Sequence, residues 1–177
     1  MILTNGSVKL RAIEETDMDF CREMINSSYI ESCTIRKNNP VSAKQQLEWF
    51  ENYDQNKEIR LIIENETAVL GMLIANNINW IDRNCEVGIK LMAQDSLKPN
   101  DTLAACKLFL EYLFNELNMH CVFANILEEN RLAYKLLTRL CFSKEGVLRQ
   151  RVFKHGAYHN VVSFSILRNE YRGGINE

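Results

Sequence analysis

Three features are missing from this sequence, and each absence argues against a class of protein. No stretch approaches the roughly 20 apolar residues of a membrane-spanning helix, and the amino terminus has no basic start followed by an apolar segment. No dense run of lysine and arginine occurs, and the formal net charge is -2, so the sequence does not favour binding to a nucleic-acid backbone. We therefore expect a cytoplasmic protein whose partners include neither a membrane nor nucleic acid.

The six cysteines lack the spacing of a metal site or a redox motif. No two of them form a CxxC pair, most lie in apolar runs, and His120 is the one histidine directly beside a cysteine. We interpret the cysteines as buried reduced thiols and expect no bound metal. Their positions are Cys21, Cys33, Cys85, Cys106, Cys121 and Cys141.

The chain also lacks repeats, low-complexity tracts and linkers. Its 177 residues fall in the range of one domain, and the 46% hydrophobic and 25% charged residues are typical of a globular protein. We predict a single domain over residues 1–177 with a core from about 8 to 171. The sequence leaves the oligomeric state open between monomer and homodimer.

Hydrophobic periodicity predicts the order β-α-α-β-β-β-α-β-α-β-β. The predicted strands are Val8–Ala12, 59–63, 69–75, 85–92, 121–126 and the two arms of a hairpin that turns at residues 154–156. The predicted helices follow Thr16, follow a capping box of Ser42 and Gln45, span 101–117 with Asp101 or Thr102 as N-cap, and span 130–140. Strands that alternate with helices indicate an α/β (α+β) fold with a mixed sheet and helices packed on its faces.

One strand-loop-helix unit predicts a ligand site. The strand ends at Met92, a loop of about ten residues follows, and a helix begins near Asp101. Free backbone N–H groups at the start of this helix would point toward the space above the strand end, where they suit an anionic ligand.

Four segments carry a family resemblance. They are LEWF at 47–50, CEVGIKL at 85–91, NRLAYKLLTRLCF at 130–142 and KEGVLRQRVFKHGAYHNVV at 144–162. On these segments, over about residues 8–171, the chain resembles the GCN5-related N-acetyltransferases (GNAT), and most closely the branch that holds ribosomal-protein, spermidine and nucleotide-linked amino-sugar N-acetyltransferases. The last segment is the most specific and is shared especially with the amino-sugar enzymes.

The resemblance implies a GNAT fold in which a splayed pair of strands forms a cofactor cleft. It also implies direct transfer of an acetyl group from acetyl-CoA to a small amine, with no metal and no covalent enzyme intermediate. A nucleotide-linked amino sugar is the first candidate acceptor, a polyamine or antibiotic the second, and a protein amino terminus the third. The alternative is a non-catalytic member that serves as a binding or assembly module.

The resemblance also implies two catalytic residues. Glu86 matches the strand carboxylate that serves as a base, although a strand glutamate can equally well hydrogen-bond to neighbouring backbone. Many relatives carry a tyrosine that protonates the leaving thiolate where this chain has Leu137. Tyr134 lies three residues earlier, roughly 60° away around the helix, and is the fallback candidate for this role.

The phosphate loop departs from the family pattern Arg/Gln-x-x-Gly-x-Gly/Ala, since residues 96–101 read SLKPND. Pro99 has no N–H to offer, and Asp101 brings a negative charge toward the phosphates, which Lys98 would partly offset. The cofactor-binding residues implied by the resemblance are Leu91, Met92, Lys98, Asn100, Asp101, Thr102 and Asn130.

Aromatic and histidine side chains are the candidates for the acceptor pocket. His155 and His159 have the spacing of a helical metal pair, but Gly156 between them and the β-branched residues that follow favour a hairpin, so we do not expect a metal there. The substrate-binding candidates are Trp49, Phe50, Trp80, His155, Tyr158 and His159. Cys141 replaces the glycine that usually precedes Phe142, so we expect this helix end to avoid the left-handed conformation.

Overall fold

The computed structural model describes residues 2–6, 8–35, 39–92 and 98–171. The strands are β1 (Ile2–Asn5), β2 (Val8–Ala12), β3 (Ile59–Glu64), β4 (Val69–Asn79), β5 (Asn84–Leu91), β6 (Cys121–Leu127), β7 (Ser143–Lys154) and β8 (Ala157–Leu167). The helices are α1 (Met18–Ile25), α2 (Ser28–Cys33), α3 (Ala43–Glu51), α4 (Pro99–Glu111) and α5 (Arg131–Arg139). A 3-10 turn at Glu15–Asp17 leads into α1, and a π-helical turn at Tyr112–Glu116 extends α4.

The strands form one eight-stranded mixed sheet in the order β1-β2-β3-β4-β5-β6-β8-β7. In the described part of the chain its one parallel pair is β5 with β6, which are in register at Asn84 with Cys121, Cys85 with Val122 and Glu86 with Phe123. Beyond Glu86 the two strands are no longer paired, so the sheet opens into a V-shaped gap. The predicted mixed sheet and its splayed strand pair are confirmed.

Helices cover both faces of the sheet because side chains alternate along each strand. Cys85 of β5 and Ala75 of β4 pack into the larger core beneath α4 and α5. Met72 and Ile74, also on β4, face the other way and pack against α1. None of the helices in the described residues is long and apolar enough to cross a membrane.

The structure adds two elements that the hydrophobic pattern did not predict. β1 pairs with β2 as an edge hairpin, and α2 is a single short helix between α1 and α3. Each has fewer than seven residues, too few to show a clear period. β4 also runs four residues beyond its predicted end, through an asparagine-rich stretch that strand propensity disfavours.

The start of α4 differs from the prediction. Lys98, rather than Asp101 or Thr102, is the N-cap, and Pro99 is the first helical residue. Proline is tolerated at this position because the first helical N–H has no intrahelical partner in any case. Asp101 therefore lies inside the first turn and does not cap the helix.

The end of α5 also corrects an expectation. Cys141 adopts the left-handed conformation itself, with φ 63°. The Phe142 amide donates to the Leu137 carbonyl at 3.0 Å, and the Cys141 amide donates to the Thr138 carbonyl at 3.1 Å. These bonds make a Schellman motif, in which glycine is the usual residue at the position of Cys141.

The interpretation of the cysteines as buried thiols holds for Cys21, Cys85 and Cys106, whereas Cys33 and Cys121 are only partly buried. All six cysteines lie in the described residues and all are free. Burial raises the pKa of Cys85 and of Cys106 to about 12 and that of Cys21 to about 11, so these thiols are poor nucleophiles at neutral pH. Cys141 is exposed, because it lies at a helix end outside the core.

Candidate active site

A cavity of about 330 Å³ lies at the gap between β5 and β6. Residues of α4 and α5 line it on one face of the sheet, among them Cys106, Leu110 and Leu137. Ile25 of α1 and Cys33 of α2 line it on the opposite face. Because one cavity has walls on both faces, two ligands that enter from opposite sides can meet at the gap.

Glu86 lies at the point where the two strands separate. Its Oε2 accepts a hydrogen bond from Asn77 Nδ2 at 2.7 Å, and its Oε1 accepts one from Asn125 Nδ2 at 3.0 Å. The carboxylate therefore binds side-chain amides on both neighbouring strands, and these two donors fix its orientation. It lines the cavity and is only partly buried, so it remains accessible to a second ligand.

Two consecutive asparagines on β4 complete this arrangement. The pairing of β4 with β5 is irregular between Asn76 and Asn79, and Asn77 has φ 50°. Such a bulge redirects side chains, so both Asn76 and Asn77 reach the region of Glu86. Asn76 lies directly opposite Glu86 in the register and lines the cavity, and its Oδ1 is buried with no partner among the described residues. The sequence signal for this feature is an Asn-Asn pair inside an otherwise apolar strand.

The residues implied for the cofactor lie at three places: the start of α4, the end of β5 and the start of α5, where Asn130 lines the cavity. At the start of α4, the first intrahelical hydrogen bond runs from the Thr102 amide to the Lys98 carbonyl at 2.9 Å. The amides of Asn100 and Asp101 precede this bond and so have no partner within the helix, whereas the Thr102 amide is already used. Residues 96 and 97 of the predicted phosphate loop lie outside the described residues.

Leu91 and Met92 lie at the far end of β5. The Met92 amide donates to the Leu70 carbonyl at 3.1 Å, so this segment still follows β4 after it has separated from β6. Neither residue lines the cavity at the gap, although the neighbouring Ile89 and Lys90 do.

Asn130 joins the two sides of the cavity. As the N-cap of α5, its Oδ1 accepts a hydrogen bond from the Ala133 amide at 3.0 Å, and its Nδ2 donates to the Cys33 carbonyl at 3.0 Å. Asn130, Ala133 and Cys33 all line the cavity. The side chain thus holds the start of α5 against the end of α2.

Tyr134 is placed away from the gap. Its ring packs edge-on against Phe164 of β8, with centroids 5.2 Å apart, and it does not line the cavity. Leu137 occupies the cavity wall instead. The two hydroxyl-bearing residues of α5, Tyr134 and Thr138, therefore do not line the cavity at the gap.

A buried lysine holds α2 in position from the tip of the β7–β8 hairpin. Lys154 Nζ donates to the carbonyls of Glu31 and Thr34, the latter at 2.8 Å, and forms an ion pair with Glu31 Oε1 at 3.0 Å. These contacts use all three ammonium hydrogens at the carboxyl end of α2. The hydrogen bond from Lys154 lowers the pKa of Glu31. The hairpin tip thus supports the wall formed by Cys33 and Thr34.

The six acceptor candidates do not converge. The Arg60 guanidinium lies over the Trp49 ring, with Arg60 Cζ 4.7 Å from the ring centroid. Trp49 also lines a second cavity, described below. The other five line neither cavity. Phe50 packs against the core beneath α1, and the Trp80 indole donates to the Asn56 carbonyl. On the β7–β8 hairpin, His155 pairs with Glu31 and His159 contacts Glu129. The ring of exposed Tyr158 contacts Phe153.

A split sheet, a cavity with walls on both faces and a carboxylate at the split define a group-transfer site that two ligands approach from opposite sides. The sequence profile of the Acetyltransferase (GNAT) domain matches residues 7–143. The chain belongs to this family and is an acetyl-CoA-dependent N-acetyltransferase.

Named relatives align over nearly the whole chain. The spermidine N(1)-acetyltransferase of Escherichia coli (strain K12) is 28% identical over 167 residues, which cover 93% of this chain and 88% of that protein. The putative ribosomal N-acetyltransferase YdaF of Bacillus subtilis (strain 168) is 25% identical over 176 residues, 96% of each chain. Among solved structures, spermidine N-acetyltransferase from Vibrio cholerae in complex with CoA and spermine superimposes with a TM-score of 0.87 at 27% identity, and covers 94% of this chain and 99% of that one.

Proposed function

We propose that this enzyme acetylates a small molecule bearing a primary amine, with Glu86 as the general base. The observation that carries the proposal is the position of the Glu86 carboxylate, held by Asn77 and Asn125 where the cavity passes from one face of the sheet to the other. An amine entering from the α1 and α2 side meets this carboxylate at the gap.

The proposed reaction needs one proton acceptor on the chain. Glu86, directly or through a water, takes a proton from the bound ammonium, and the freed nitrogen lone pair forms a bond to the thioester carbonyl carbon. As the carbon–sulfur bond breaks, the nitrogen gives up its second proton and the thiolate of CoA takes up one proton, so that the products are the amide and the thiol. We assign no proton donor for this last step, because the ring of Tyr134 lies against Phe164 and away from the cavity.

The residues present fit acetyl-CoA, which supplies the acetyl group. The α4 and α5 wall of the cavity is apolar, through Phe109, Leu110 and Leu137, and suits an aliphatic arm. The amides of Asn100 and Asp101 at the start of α4 suit the pyrophosphate, with Lys98 nearby as a cation. We propose these three residues, rather than Thr102, as the phosphate site.

Two acceptor classes remain candidates, each on its own observation. A nucleotide-linked amino sugar is favoured by the resemblance of residues 144–162 to the amino-sugar N-acetyltransferases. A polyamine is favoured by the relatives named for spermidine, which align over most of this chain.

Replacing Glu86 by Gln tests the proposal. We expect Glu86→Gln to lower kcat/KM for the accepted amine by about 10² to 10⁴, the usual contribution of a general base. The dissociation constant of acetyl-CoA, measured by calorimetry, should stay unchanged. Glu66→Gln, in the exposed turn after β3, is the matched control.

The acceptor panel contains spermidine and a nucleotide-linked amino sugar. Wild-type turnover by the Gln variant would remove Glu86 from catalysis. Acetyl-CoA binding with no turnover of any amine would instead support the non-catalytic alternative.

A further inference from the structure

A second cavity, of about 420 Å³, lies between α1, residues 39–41, α3 and the sheet. It adjoins the first cavity, because Ile25, Arg60 and Lys90 line both. An acceptor whose amine lies at Glu86 therefore has room for the rest of its structure in this second space.

The second cavity is cationic. Arg60 and Lys90 line it, and its lining in the described part of the chain includes no aspartate or glutamate. The remaining polar lining is neutral and consists of Asn39, Gln45, Gln46 and the Trp49 indole. A polycation would meet like charges here, whereas phosphate or carboxylate oxygens would meet two cations and several amide donors.

Arg60 is held in place and retains an unused donor. Its Nη2 forms an ion pair with Glu58 at 2.9 Å, its Nη1 contacts Met72 Sδ at 3.7 Å, and its guanidinium lies 4.7 Å above Trp49. Its Nε is buried and has no hydrogen-bond partner among the described residues. This nitrogen has almost no accessible surface, so it does not face the cavity, but the other contacts fix the position of the Arg60 charge in the cavity wall.

We propose that the second cavity is the anionic subsite of the acceptor site, where Arg60 and Lys90 bind a phosphate or carboxylate group on the molecule whose amine is acetylated. The inference rests on the proposed function, since it specifies the acceptor of that same reaction. It selects an acidic amine, such as an amino sugar carrying phosphate, over a polyamine.

The experiment compares four acceptors that differ in charge: glucosamine has no acidic group, glucosamine 6-phosphate carries a phosphate, glucosaminic acid carries a carboxylate, and spermidine is a polycation. We expect kcat/KM for glucosamine 6-phosphate to exceed that for glucosamine by about tenfold or more, which corresponds to about 1.4 kcal/mol. Glucosaminic acid shows whether a carboxylate serves as well as a phosphate.

Arg60→Met and Lys90→Met should each remove most of this preference through an increase in KM. The readout is the ratio of kcat/KM for glucosamine 6-phosphate to kcat/KM for glucosamine, which should fall about tenfold in each variant because glucosamine has no group that reaches the two cations. Lys57→Met is the matched control, since Lys57 pairs with Asp54 and lines neither cavity. Thermal unfolding of each variant shows whether it is folded. If Arg60→Met unfolds the chain because the Arg60–Trp49 contact is lost, Lys90→Met alone tests the subsite.

A binding measurement tests the subsite without turnover. Calorimetric titration of glucosamine 6-phosphate into protein saturated with CoA should show binding that Arg60→Met or Lys90→Met weakens about tenfold. The inference is overturned if this ligand does not bind, or if spermidine is the preferred acceptor and the two variants do not alter its kcat/KM. If the phosphorylated amine binds at Arg60 but no amine is acetylated, the proposed reaction fails while the subsite stands.

Discussion

Asn77 shows how one residue's backbone conformation arranges the site. Its φ of 50° is uncommon for most side chains, but asparagine tolerates the left-handed region better than most. This conformation brings its amide to Glu86 Oε2 on the neighbouring strand. The irregularity in β4 therefore also helps to set the orientation of the Glu86 carboxylate.

Cys141 gives a prediction about stability at the same scale. We expect Cys141→Gly to raise the free energy of unfolding by about 0.5 to 1 kcal/mol, because glycine removes the cost of a left-handed φ at the end of α5 but increases the entropy of the unfolded chain. Urea unfolding at neutral pH measures the change. Cys141→Ala keeps a β-carbon at the same φ and should leave stability nearly unchanged, so an equal gain in both variants would contradict the strain argument.

At the scale of elements, the structure gives different expectations for substitutions of Pro99 and of Asp101 at the start of α4. The family comparison by sequence predicts that glycine at both 99 and 101 would tighten acetyl-CoA binding. Pro99 is the first helical residue, where an N–H would have no intrahelical partner and where its fixed φ suits the helix. Asp101, by contrast, places a negative charge in the first turn.

We therefore expect Asp101→Asn to tighten acetyl-CoA binding by about 1 kcal/mol, the scale of one unit charge near the phosphates in a solvated site. Pro99→Gly should bring no comparable gain and should slightly destabilise the helix start. Calorimetry on the two single variants measures both effects. An unchanged dissociation constant in Asp101→Asn would mean that the start of α4 lies away from the phosphates.

At the scale of the whole molecule, a partly buried ion pair connects β2 and β3 to the turn before α1. Arg11 Nη1 and Nη2 donate to Asp17 at 2.7 and 2.8 Å, and Arg11 Nε donates to Glu64 at 2.7 Å. Burial alone would raise the pKa of Asp17, but the hydrogen bonds from Arg11 and from the Glu14 amide outweigh it and lower that pKa. A carboxyl whose pKa is lower in the folded state contributes stability above its unfolded pKa and loses it as the pH falls.

We predict that the free energy of unfolding decreases as the pH falls below about 4, near the ordinary pKa of an aspartate. Asp17→Asn should lower stability at pH 7 by about 2 kcal/mol, because it weakens two charge-assisted hydrogen bonds from Arg11, which keeps Glu64 as its remaining counter-ion. The variant should also lose part of the decrease on acidification. Urea unfolding between pH 7 and pH 2 measures both effects, and an identical pH profile in the variant would assign the acid sensitivity to other carboxyls.

The sequence was informative where elements are long or strongly patterned. The hairpin is an example, since it turns at His155 and Gly156, within the predicted residues 154–156, and the structure adds that both residues take positive φ. The acceptor candidates stay predictions that the structure does not bring to one cavity, since exposed aromatic residues such as Tyr158 carry no periodic signal that separates a pocket wall from a surface. Arg60 and Lys90 were not candidates at all, since an isolated cation on a strand gives no sign of which cavity it lines.

The amino-acid sequence alone determined the mixed α/β sheet, the family and the position of Glu86 on its strand, because these depend on local periodicity and on short contiguous segments. Only the tertiary structure decided which side chains surround that carboxylate. Asn77 reaches Glu86 from nine residues away and Asn125 from 39 residues away. Lys154 supports α2 across more than 100 residues of chain. Such contacts follow from strand register and sheet order, which bring together residues that no local pattern connects.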